Sequence, residues 1–158
     1  MLDGPGFRVV DLTLFGIANL ANLLLAAIFL ARTRRLKRVE YVLGLIVVAM
    51  ALPATAAVVL NAVSVRGWWW VLLPVPFIFH CANELLLDYV LKVPFRSTRL
   101  LGPYLGLYYL ATWGLIGYSF MVGKAYGLIT LVTYFLCLVT TWYSYSRVGH
   151  GEALAKEG

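Results

Sequence analysis

Charge is what this sequence has least of. Only 13% of its 158 residues are Asp, Glu, Lys or Arg, where a soluble domain carries about a quarter. Hydrophobic residues make up 62%, and mean hydropathy is +0.85. That leaves too little polar surface to cover a globule in water, so the expected solvent is lipid. Cysteine is scarce too. Cys81 and Cys137 are the only two, with no CxxC spacing and no disulfide framework. Both fall in apolar runs at similar depth, so a contact between them is allowed, but small buried thiols are the simpler reading. Of the two histidines, His80 lies in an apolar run and His150 near the carboxyl end. This opposes a haem held by two histidines of this chain. P-loop, GxGxxG, GxSxG, HExxH and EF-hand patterns are all missing, so no cofactor is implied.

What is present is long apolar sequence. Five runs, residues 12–31, 41–63, 67–91, 100–123 and 125–146, each have at least about 20 residues, enough to cross a hydrocarbon core as a helix. Helices satisfy their own backbone hydrogen bonds, which lipid cannot do. The runs do not alternate, so a β-barrel is not expected. The predicted fold is all-α, a polytopic integral membrane protein of five transmembrane helices. The first run is preceded by Met1, Leu2 and Asp3, and ends in RTRRLKR. That is a stop-transfer pattern rather than a cleaved signal, so the run is expected to be retained.

Basic residues set the expected orientation. Ten of the thirteen fall on one side: Arg32, Arg34, Arg35, Lys37, Arg38, Lys92, Arg96, Arg99, Arg147 and Lys156. Arg8, Arg66 and Lys124 fall on the other. The amino terminus is therefore expected outside and the carboxyl terminus in the cytoplasm, by default of a prokaryotic plasma membrane. Arg34, Arg35, Lys37 and Arg38 would meet anionic lipid headgroups. Basic residues confined to membrane boundaries argue against nucleic acid as a partner.

A single five-helix domain over residues 1–146 and a short polar tail over 147–158 are expected, with no internal repeat. Pro53 should kink the second span. Pro74 and Pro76 either bend the third span or mark its regular start, with Trp68, Trp69 and Trp70 at an interface. Pro94 should end it, and Pro103 suits a first helical turn. Small residues at Ala51, Ala54, Thr55 and Ala57, the Gly102/Gly106 pair, Gly114 and Gly117 are candidate helix contacts.

One stretch carries the candidate chemistry: FIFHCANELLLDYVLK, residues 77–92. His80, Glu84 and Asp88 stand at i, i+4 and i+8, so they share one broad helix face, and Asn83 borders it. Glu84 would lie roughly 6 Å nearer the basic end than His80, and Asp88 roughly 12 Å nearer. A carboxyl in an apolar span costs about 2.5–3.5 kcal/mol at its centre. It seeks a partner, water or a proton, which makes Glu84 a candidate proton carrier. Tyr104, Tyr108 and Thr112 repeat the four-residue spacing on the next, antiparallel span. Their expected partners are Asp88, Glu84 and His80 in that order, with Tyr109 and Trp113 along an adjacent strip. Helix glue is the structural alternative, since interhelical hydrogen bonds fix orientation. A metal on this face is disfavoured, because ligands about 6 Å apart along one helix do not converge.

Other polar residues have plainer readings. Asn19 and Asn22 either complete a pocket or pair with another helix. Thr130, Thr133, Thr140 and Thr141 bond their own helix. Trp142, Tyr143 and Tyr145 form an inner aromatic belt, and Glu40 caps its helix or pairs with Arg38. Three functions fit. The first is a small transport or channel-type protein, oligomeric or part of a complex, with a proton or cation site at Glu84, His80 and Asp88. The second is an intramembrane enzyme acting on a lipid or isoprenoid headgroup at the cytoplasmic side. The third is a non-catalytic subunit or assembly factor.

Overall fold

The structure, a computed structural model, describes residues 5–64, 66–92 and 99–148. Every regular element among them is helical. Helix α1 spans Pro5–Thr33, α2 Lys37–Ala49, α3 Ala51–Val63, α4 Trp69–Leu72 and α5 Val75–Glu84. A π-helical turn, Leu85–Val90, extends α5; α6 spans Leu101–Val122 and α7 Lys124–Val148. Together they make five rods long and apolar enough to cross a membrane: Arg8–Thr33, Lys37–Val63, Trp69–Val90, Leu101–Val122 and Lys124–Arg147. The polar tail beyond residue 148, with His150 and Lys156, and the positions of Pro94 and Arg96 lie outside the described residues.

Proline places the two irregular points. Pro53 cannot donate a hydrogen bond to Ala49, and its ring crowds that carbonyl. The helix is accordingly interrupted one turn earlier, at Met50, between α2 and α3. In the third rod, Pro74 caps α5 and Pro76 occupies its first turn, so the regular helix begins there and α4 is a separate turn. Its tryptophans do not act alike. Trp68 and Trp69 stack at 3.8 Å and are exposed, whereas Trp70 turns inward, against the expectation of a shared interfacial role.

The chain reverses between α1 and α2 in a tight helix-capping turn. Arg35 adopts φ 56°, and the Leu36 amide donates to the Ala31 carbonyl at 3.0 Å. This is the hydrogen-bond pattern that usually recruits glycine. The turn lays Arg32 over Glu40, with Nε to Oε1 at 2.9 Å. The expected Arg38–Glu40 pair is replaced, because residues two apart on a helix face opposite ways.

Helix α1 packs along α7, and the rods close a ring in the order α1, α2/α3, α5, α6, α7. The apolar core fills the half of the ring away from the basic turn. There Leu14, Ala18 and Ala21 of α1 meet Ala54 and Ala57 of α3, Phe77 of α5, and Ala111, Leu115 and Tyr118 of α6. Gly114 permits the closest approach. A Cβ there would collide with the carbonyl oxygen of Leu73, so only glycine lets α6 lie against the bend before α5. Gly117 also faces Leu73. The Gly102/Gly106 pair, by contrast, is exposed and meets nothing within 4 Å among the described residues.

Candidate functional site

The basic half of the ring is hollow. A cavity of about 570 Å³ lies between the ends of α1, α2, the π-helical turn, α6 and α7. Along α1 its wall runs from Leu25 to Arg32, seven residues or about 10 Å of depth. His80, Glu84, Asp88, Tyr104 and Tyr108 all line it. The shared face expected of His80, Glu84 and Asp88 is therefore turned toward a cavity. Cys81, next to His80 in the chain, also lines it, because the cavity wraps around the end of α5.

The register across the α5–α6 pair differs from expectation by one rung. The Tyr104 hydroxyl donates to Glu84 Oε2, although Tyr108 was expected there and Tyr104 opposite Asp88. Tyr108 instead stands beside His80, ring centroids 5.5 Å apart, and its hydroxyl lies 3.6 Å from Cys137 Sγ. The cause is the π-helical turn, closed by Leu91 N–H to the Leu86 carbonyl at 2.8 Å. Its wider winding climbs less per residue than an α-helix, so Glu84 sits nearer the end of the rod than a straight helix would put it. π-turns of this kind are frequent at functional sites. Asp88 lies within this one, half-buried.

His80 is 5% exposed. Its ring lies between those of Tyr104, 5.4 Å away, and Tyr108. Its Nδ1 is the one buried side-chain nitrogen or oxygen without a hydrogen-bond partner among the described residues. Thr112 is buried and donates to the Tyr108 carbonyl at 2.8 Å. It misses the main cavity and lines a second one of about 10 Å³ with His80, Tyr108 and Asn22. Asn83 is half-buried and lines neither cavity. No three His, Cys, Asp or Glu side chains converge as a metal site would require, among the described residues.

The cavity mouth carries the Arg32–Glu40 pair and Lys37. Aromatic side chains from every side contribute to its wall: Phe29, Tyr41, Tyr89, Tyr109, Trp142 and Tyr145. Tyr89 packs on Tyr41 at 5.1 Å and donates to its carbonyl at 3.2 Å. Trp113, assigned to the same strip as Tyr109, is 64% exposed and points away. No protein-family model, curated protein or solved structure matches the chain. The site is therefore read from its own geometry.

Sequence reasoning missed the opposite end altogether. Asp11 of α1 accepts two hydrogen bonds from Arg66, at 2.7 and 3.1 Å, and one from the Tyr118 hydroxyl at 2.7 Å. Asn61, fully buried, accepts from Arg66 at 3.1 Å. It donates to the Tyr118 oxygen at 3.2 Å and to the Trp70 carbonyl at 3.1 Å. The Arg66 guanidinium lies 3.8 Å over the Trp70 ring. Burial alone would lower the Arg66 pKa, but the hydrogen bond and charge of Asp11 outweigh it and the net shift is upward. This clasp joins α1, α3, α4 and α6. Ten residues of α6, about 15 Å, separate Tyr118 from Tyr108 at the cavity. A clue was present in the sequence: an acid, an amide and an arginine at three run ends facing one way.

Between clasp and cavity runs a polar seam. Asn19 donates to Thr130 Oγ1 at 3.1 Å and accepts from Thr133 at 2.9 Å. Asn22 donates to Thr133 at 3.1 Å, and Ser119 lies 3.0 Å from Thr130. Both asparagines pair with another helix. The threonines also bond their own helix, as Thr141 does in donating to the Cys137 carbonyl at 2.7 Å. The two thiols do not meet: Cys81 Sγ lies 3.6 Å from the Val47 carbonyl, and both cysteines are free and buried.

Proposed function

We propose that this protein is a membrane-embedded enzyme whose cavity takes the polar head of an amphipathic lipid or isoprenoid, with Glu84 as the acid–base group. The cavity of about 570 Å³ carries the reading. Sites for small organic molecules occupy about 300–1,000 Å³, whereas a proton or bare cation needs only a few converging oxygens. The wall is aromatic and aliphatic around a small polar set, which suits a tail and a head. Tyr104, bonded to Glu84, would hold the carboxyl in place and tune its proton affinity. The basic end would face the cytoplasm, with the exposed Arg34, Arg35, Lys37 and Arg38 against anionic headgroups.

The test is turnover of a mixed lipid pool by the purified chain without any gradient, followed by mass spectrometry. Product formation should vanish in Glu84→Gln while lipid still co-purifies. A chain that consumes nothing and co-purifies with no amphiphile would refute the assignment.

The seam of Asn22, Thr133, Asn19, Thr130 and Ser119 favours a second reading, transport. It extends hydrogen-bonding groups from the cavity floor toward the clasp, as a proton path requires. Proton flux into liposomes that is lost in Glu84→Gln, without lipid turnover, would select it. Association with further copies or with a larger complex would then place the chain as a subunit.

A further inference from the structure

We propose that the hydrocarbon tail of this cavity's ligand leaves the bundle sideways, through the wall between α6 and α7, and lies against the outside of that junction. The inference rests on the amphiphile reading above and names the kind of ligand: a membrane-dissolved lipid whose chain is about one leaflet long. A leaflet is half of a core about 30 Å thick, so its chains run about 15 Å. The cavity wall runs from Arg32 to Leu25 on α1, about 10 Å of depth, and the head takes part of that. The rest of the chain needs an exit. The mouth carries Arg32, Glu40 and Lys37, and hydrocarbon laid beside charges strips them of water at a cost. The far end is filled by the packed core, where Phe77, Ala111 and Leu115 are buried. The exit is therefore through a side.

The other helix junctions are tied at the level of the cavity. Helices α1 and α2 are joined by their tight turn and the Arg32–Glu40 pair. Helices α1 and α7 meet through Phe29 and Tyr145, ring centroids 6.1 Å apart. Gly44 of α2 has no side chain where the Tyr89 hydroxyl lies, so the π-helical turn latches onto the Tyr41 carbonyl. Tyr104 ties α6 to Glu84. The α6–α7 junction is tied deeper, by Tyr108 with Cys137 at 3.6 Å and by Trp113 with Tyr134, ring centroids 6.4 Å apart. Nearer the basic end, Tyr109 and Trp142 each belong to two surfaces. Both line the cavity. Both also border the outer face of their helices: Tyr109 stands one turn from the exposed Trp113, and Trp142, 74% exposed itself, two turns from the exposed Phe135. A side chain shared by a cavity wall and an outer surface marks an opening. Gly102 and Gly106 lie on this same side of α6. A Cβ on either would meet nothing within 4 Å among the described residues, which leaves a strip of bare backbone beside the opening for methylenes to cover.

The experiment places the full chain in phosphatidylcholine vesicles and photolabels it with octanol or hexadecanol, each carrying a diazirine at its chain end. Adducts are mapped by mass spectrometry, and labelling counts where excess unlabelled alcohol of the same length displaces it. Octanol should mark the inner wall at Leu25 or Val48. Hexadecanol should mark the outside of the α6–α7 junction at Trp113 or Phe135. Gly106→Trp lays a ring over the opening. It should lower displaceable hexadecanol labelling at least about tenfold, the loss expected where a ligand must push packed atoms aside, and leave octanol labelling unchanged. Displaceable hexadecanol adducts at Val42, on the outer face of α2, put the exit there and overturn the proposal. So does a Gly106→Trp chain labelled like the native one. Octanol labelling of the inner wall with no displaceable hexadecanol adduct overturns the sideways exit and leaves a pocket for short amphiphiles standing. No displaceable labelling by either alcohol overturns the amphiphile reading as well. A dimer in sedimentation that Gly106→Trp dissociates gives the glycine face to a second copy and also overturns the proposal. If Gly106→Trp does not fold, the adduct map of the native chain decides alone.

Discussion

Gly114 shows how much a single residue decides in a chain of this kind. The carbonyl of Leu73 occupies the space a Cβ would need, and backbone cannot swing aside as a side-chain tip can. Gly114→Ala should therefore destabilise the bundle by about 1–3 kcal/mol, seen as a lower unfolding temperature in detergent. Gly106→Ala, with nothing within 4 Å, should be neutral or slightly stabilising and serves as the control. Asp11 is the second such residue. It accepts from Arg66 and Tyr118 together, and both members of the ion pair are only 14% exposed. Asp11→Ala leaves a guanidinium in a largely closed site and should cost about 3 kcal/mol. Adding Arg66→Met should restore part of the loss, because it removes the charge that Asp11 had balanced. A double-mutant cycle on unfolding temperature reads the coupling.

At the scale of elements, the π-helical turn sets the site. An i→i+5 bond at Leu91 gives residues 85–90 a wider circuit than an α-helix, and Asp88 and Tyr89 reach the cavity from it. Deleting Leu86, which is 48% exposed, should let the segment close as an α-helix. Asp88 then stands three α-helical positions from Glu84 instead of four, about 60° round the axis from it, while Glu84 keeps its place. The expected outcome is an intact fold with ligand affinity reduced about tenfold, a loss of roughly 1.4 kcal/mol. Circular dichroism checks the first part and calorimetry the second. Affinity equal to the native chain's would show that the turn is incidental. The break at Met50 has a comparable role. It separates α3, which belongs to the core, from α2, whose Tyr41, Gly44 and Val47 belong to the cavity wall.

For the whole molecule, the decisive property is asymmetry between the two ends. One end is packed and locked by the Asp11–Arg66–Asn61–Tyr118 clasp; the other encloses the cavity beneath a basic turn. A cysteine placed at Thr141, in the cavity wall, on a Cys81→Ser/Cys137→Ser background, should react with a water-soluble maleimide from one side of a sealed vesicle only. That side should be the one from which a cysteine at Arg34 also reacts. Labelling from the opposite side would mean that the clasp does not close its end.

Hydropathy is a property of neighbouring residues, so the five apolar rods and their approximate limits were legible in the linear chain. So were the interruption near Pro53 and the common face of His80, Glu84 and Asp88, because helix periodicity is local as well. What lay beyond reach were the pairings between distant segments. Asp11 finds Arg66 and Tyr118 across 55 and 107 positions, and Tyr104 rather than Tyr108 finds Glu84. Each depends on how far a rod is rotated and slid against its neighbour. A few residues of π-helix or a single glycine contact shift that by a full rung. Apolar sequence made these five helices long and apolar enough to cross a membrane, but only their mutual packing decided which end closed and which end stayed hollow.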